Sequence, residues 1–192
     1  HNRSIKMKKT FFSLVVAALA AFHLNAGEIN VFAAANVTYA FDELKAEFAK
    51  SNPDTKVTVT LGASGALSTQ VKNGAPADVF MAANMKFVQD LYDTKFAVTQ
   101  PVVYAQGALA LFTIRDIDLA KGINAVEGLK AIAIANPETA PYGKASIEAL
   151  KKAGIYDKVE KNVILAKSIG EALSQALSAA DVGFIAASAM YD

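Results

Sequence analysis

The chain has 192 residues, 19 basic against 18 acidic, a formal net charge of +1 and no Cys. Both His residues, His1 and His23, precede residue 27, so the remainder cannot build a disulfide, a His- or thiolate-liganded zinc site, a Cys nucleophile or a Ser-His-Asp triad. Residues 1–26 hold Arg3, Lys6, Lys8 and Lys9 and no acidic residue, which leaves about 165 residues with a net charge of about −3 and no basic stripe for nucleic acid.

Met7-Lys8-Lys9-Thr10, the apolar run Phe11–Phe22 and Leu24-Asn25-Ala26 read as a secretory signal peptide cleaved near Ala26, with His1–Lys6 as upstream sequence. The apolar run falls short of the roughly 20 residues that span a bilayer. No Cys follows the leader to carry a lipid, so the expected location is the periplasm.

Beyond the leader, short β-branched runs alternate with helical patterns. Glu28–Ala33 reads as a strand and Val37–Lys50 as an amphipathic helix with Phe41, Leu44 and Phe48 on one face. Lys56–Leu61 alternates as a strand. Gly62–Gly65 reads as a turn, Ala66–Lys72 as a helix, Asp78–Met81 as a buried strand and Met85–Asp93 as a helix. After a break at Thr99-Gln100-Pro101, strands are expected at Ala108–Thr113, Ala131–Ala135, Val163–Ala166 and Val182–Ala187. Helices are expected at Gly143–Ala153, around Tyr156 and at Glu171–Ser178. This order implies an α/β protein of two lobes with parallel sheets: residues 27–102 in the first lobe, 103–192 in the second. The last residues follow a strand with no stop signal, and a natural protein longer by several tens of residues is expected.

Four loops follow strand ends and open helices: Ala34–Asn36, Gly62–Gly65, Asn136–Tyr142 and Ala166–Gly170. Ligands collect at the carboxyl ends of parallel strands, where helix N-termini point unpaired N–H groups and a positive dipole end. Such ends on two facing lobes would clamp an anion without Arg or Lys. Taken singly, Asn36 and Ser64 are ordinary helix caps, and Tyr142 a packing aromatic. Ser64 sits in G-A-S-G-A, where Ala66 departs from a nucleophile elbow and no His base exists.

Val31–Asn36, Gly74-Ala75-Pro76-Ala77-Asp78-Val79-Phe80, Asn136–Gly143, Glu171-Ala172-Leu173 and Asp181-Val182-Gly183-Phe184 resemble the periplasmic molybdate-binding proteins of molybdate ABC transporters. The resemblance runs from Glu28 to Asp192. It implies a type II periplasmic binding fold, two α/β lobes with a hinge and a ligand cleft, and a last segment returning to the first lobe that is absent here. It further implies that Asn36, Ser64, Tyr142 and the backbone N–H of Ile169 hold molybdate or tungstate. Many members carry a Tyr where this chain has Ala186, and the Tyr142 hydroxyl is the expected substitute from the opposite side. The implied partner is the transporter's membrane permease. A monomer with no cofactor, no catalytic residue and no direct ligand to molybdenum is expected.

Molybdate is an unprotonated dianion at neutral pH, which suits a site made only of donors. Sulfate shares its charge and shape, so a receptor for sulfate or another anion is the alternative reading. A secreted hydrolase using Ser64 with a Lys, or Asp42 with Glu43, is the third; adjacent helical residues face different ways, which places that pair poorly.

Overall fold

The structure, a computed structural model, describes residues 27–191; the expected leader and its cleavage site lie outside them. Strands β1 (Glu28–Ala34), β2 (Lys56–Gly62) and β3 (Val79–Met81) form one parallel sheet in the order β2-β1-β3. Helices α1 (Thr38–Ser51), α2 (Ser64–Lys72) and α3 (Met85–Asp93) connect and follow these strands. The alternation in Lys56–Leu61 sets β2 in register with β1 along its whole length, from Glu28 beside Lys56 to Ala34 beside Gly62.

The second sheet contains β4 (Leu109–Phe112), β5 (Ile132–Ala135), β6 (Val163–Ala166) and β7 (Val182–Ala186) in the order β4-β7-β5-β6. Helices α4 (Pro141–Lys152), α5 (Tyr156–Val159) and α6 (Ile169–Ser178) belong to this lobe. One expectation fails here, because β4 runs antiparallel to β7. It enters at the sheet edge straight from the crossing segment, with no helix to turn the chain round, a common arrangement for the edge strand of a mixed sheet.

Two cores hold the lobes. Val31, Ala33, Val37 and Phe41 form the first, and Ile132, Ile134, Leu150, Val182 and Phe184 are among the residues of the second. Complete burial of an Ile or Val side chain contributes about 1.5–3 kcal/mol, so the second core is the chief stabiliser of its sheet. The expected apolar face of α1 is only partly used: Phe41 is buried, but Leu44 is 51% and Phe48 37% exposed. Phe41 is the one residue of α1 that is buried, and it joins Val37 in the core of the first lobe.

The motif residues turn out to fix this architecture. Asp78 accepts hydrogen bonds from the Asn30 backbone N–H at 2.7 Å and side-chain amide at 3.3 Å, which anchors β3 to β1. Asp181 accepts from the N–H groups of Lys130 and Ala131 at 2.8 and 3.0 Å, tying β7 to the start of β5. Gly143 lies so close to β5 that a Cβ there would stand 1.9 Å from the Ala135 carbonyl oxygen.

Candidate functional site

An Ala-rich cluster joins the two lobes. Ala35 and Ala63 from the first pack with Ala135, Ala140, Ala166 and Ile169 from the second, and side chains this small let the strand ends approach closely. Asn36, Ser64, Tyr142 and Ile169 all line one small pocket at this junction, beside Gly62, Ala83 and Pro141. No charged side chain is among its lining residues. Its room is about 10 Å³, the space of a single water-sized sphere, so a four-oxygen anion fits only once the lining side chains and loops give way.

Neither Asn36 nor Ser64 is a helix cap. The helix α2 starts two residues earlier than its sequence suggests, with Ala63 at the N-cap and Ser64 as its first residue. Ser64 is 1% exposed, and its Oγ accepts the Ala83 N–H at 2.9 Å. A hydroxyl that accepts from one side keeps its own proton to donate on another. Asn36 lies in the 3-10 turn Ala35–Val37 that follows β1. Its Oδ1 is buried without a hydrogen-bond partner, and turning the amide by half a turn would present Nδ2 as a donor at the same place.

Tyr142 is the second residue of α4, whose first position is Pro141, a residue that lacks only an N–H the helix start would leave unpaired anyway. The ring is 9% exposed. Burial, with a smaller contribution from Tyr104, pushes its hydroxyl above the ordinary phenol range and keeps it a neutral donor. Ile169 opens α6. Ser168 caps this helix by accepting the Glu171 N–H at 3.2 Å, while Glu171 accepts the Lys167 N–H at 2.6 Å. That reciprocal cap leaves the Ile169 N–H outside the intrahelical ladder, at the positive end of the helix dipole.

Ala186 borders an adjoining hollow with Asn36, Ile169, Gly170 and Ala189, and offers a methyl where a hydroxyl would stand. Asp42 and Glu43 are exposed on α1 and take no part in either hollow. Three contacts at the site are not signalled by any motif. Ala83 orients Ser64, the Gly65 N–H donates to the Thr139 carbonyl at 2.8 Å, and the Ser188 hydroxyl donates to the Asn36 carbonyl at 2.9 Å. The last two cross from lobe to lobe. The lining is uncharged and gathers groups able to donate hydrogen bonds beside helix starts, an arrangement suited to an anion.

The family of bacterial extracellular solute-binding proteins matches residues 29–192. The molybdate-binding protein ModA of Haemophilus influenzae is 31% identical over 177 residues, covering 88% of this chain and 69% of that protein. ModA of Rhodobacter capsulatus is 36% identical over 164 residues, covering 84% and 65%. The chain therefore spans about two thirds of the length of these curated relatives. The solved periplasmic molybdate-binding protein of Azotobacter vinelandii has the same fold, with a TM-score of 0.76 at 35% identity over 82% of this chain and 71% of that one. With that fold, a type II periplasmic binding protein, and these identities, the chain belongs to the bacterial extracellular solute-binding proteins and groups among them with the molybdate-binding proteins.

Proposed function

We propose that this chain is the periplasmic substrate-binding component of an ABC importer and takes up molybdate, and with it tungstate, between its lobes. The single observation that carries this reading is the convergence of Asn36, Ser64, Tyr142 and Ile169 on one uncharged pocket. Asn36 and Ser64 would donate from the first lobe, the Tyr142 hydroxyl and Ile169 N–H from the second. An oxyanion without a proton accepts at every oxygen, so a ring of donors leaves no group unpaired. The protein would supply binding alone, as a monomer with no resident cofactor, no catalytic residue and no direct bond to molybdenum. Closure around the anion would present a loaded form to the membrane permease. Among the described residues no helix is long and apolar enough to cross a membrane.

Calorimetry of the full mature protein with molybdate, tungstate and sulfate tests the reading. One molybdate or tungstate per chain at similar affinity is expected. Sulfate binding tighter than molybdate would overturn the ligand, and no binding of any of the three would overturn the site.

A further inference from the structure

Gly107 lies in the exposed segment that crosses between the lobes, outside every motif described above. A Cβ built on it would stand 2.1 Å from the Tyr142 hydroxyl oxygen and 3.1 Å from the ring carbon that bears it. Its backbone is not in the left-handed region, which among the described glycines holds only Gly74, Gly122, Gly128 and Gly154. Nothing in the local conformation therefore calls for glycine. The demand comes from the phenol alone.

We infer that Gly107 is a positioning residue for Tyr142: the space left by its missing side chain is where the Tyr142 hydroxyl stands. The two positions then act as a pair, in which a hydroxyl brought in by the second lobe needs a glycine in the crossing segment. This rests on the proposed role of Tyr142 as a donor to the oxyanion. It adds that the direction of that donor is set from outside the pocket. The side chain that a methyl at 107 would meet is that of Tyr142, and it meets the phenol oxygen at the free end first, so the hydroxyl is the group that must shift.

Gly107→Ala and Tyr142→Phe, alone and together, test the pair by molybdate calorimetry and by ultraviolet titration of the tyrosines without ligand. Gly107→Ala is expected to weaken binding roughly ten-fold in the parent, the scale of one lost hydrogen bond, and to leave it nearly unchanged in the Tyr142→Phe background. In the ligand-free titration, one high-pH phenol step should move with Gly107→Ala and be absent from both Tyr142→Phe proteins. Equal weakening by Gly107→Ala in both backgrounds, or an unmoved phenol step, overturns the inference. Undiminished binding by Tyr142→Phe alone would instead remove Tyr142 from the donor set, while the phenol step still reports whether Gly107 places it.

Discussion

The Ser64 hydroxyl oxygen accepts the Ala83 N–H at 2.9 Å, and this bond decides what the hydroxyl can offer a ligand. With one lone pair engaged by the loop after β3, its proton is left to donate elsewhere, and Ser64 borders the pocket. Ser64→Ala should weaken molybdate binding by about 1–3 kcal/mol, the cost of a lost charge-assisted bond in a buried site. It should also lower stability by about 1 kcal/mol, because the Ala83 N–H loses its acceptor. Calorimetry and urea unfolding measure the two effects separately. Unchanged affinity would remove Ser64 from the site.

Asn36 allows a sharper test than truncation. Asn36→Ala deletes a donor and should also cost about 1–3 kcal/mol of binding. Asn36→Asp keeps the shape but puts an acceptor-only carboxylate against a dianion, with both lone-pair sets facing the ligand. Binding should then fall well below that of Asn36→Ala at pH 7. Equal losses in the two variants would mean that the side chain faces away from the anion.

The strands and most helices of this fold are legible in the sequence, because alternation and helical spacing report burial directly. The starts of α2 and α4 are not. Gly62–Gly65 and Asn136–Tyr142 look like loops, yet Ser64-Gly65 and Pro141-Tyr142 already belong to the first turns of these helices. The glycines there answer to tertiary approach, Gly65 to the Thr139 carbonyl and Gly143 to that of Ala135, and no local pattern encodes such contacts. The antiparallel direction of β4 is hidden for a related reason, since side-chain alternation reads the same along a strand in either direction. Asn36, Ser64, Tyr142 and Ile169, which line one pocket, are singled out in the sequence by resemblance and by the helix-opening loops. The contacts that orient them, from Ala83, Ser188 and Gly107, depend on how the lobes and crossing segment meet.

The raised phenol of Tyr142 sets an alkaline limit. Its ordinary value is 10.0, and burial first, then Tyr104, lifts it in the folded chain. Below the ordinary value, folded and unfolded forms are both protonated, and the contribution to stability is complete. As pH rises from there through the folded value, the unfolded chain ionises first and binds fewer protons, so stability falls. Molybdate affinity should stay flat from roughly pH 6 to 9, then decline as the donor proton is lost. Titration calorimetry across that range checks it. A decline between pH 7 and 9 that persists in Tyr142→Phe would assign the sensitivity to another group.

Gly65 separates closure from folding. Its N–H donates to the Thr139 carbonyl across the lobes at 2.8 Å, and a Cβ would meet that oxygen at 2.9 Å and the Phe87 ring at 3.1 Å. Its φ is outside the left-handed region, so alanine suits the backbone and favours the helix it occupies. The obstacle from Thr139 exists only when the lobes are together, whereas the Phe87 ring belongs to the same lobe and can yield at its tip. Gly65→Ala should therefore penalise the closed state against the open one. Molybdate affinity is expected to drop by about 1–2 kcal/mol, mostly as faster release, with an unfolding midpoint close to the parent's. Stopped-flow release rates and X-ray scattering of the loaded protein, which should be more extended than the parent, read this out. A lowered unfolding midpoint with parent-like affinity would instead place the strain inside the first lobe and leave the Gly65–Thr139 contact without a part in closure.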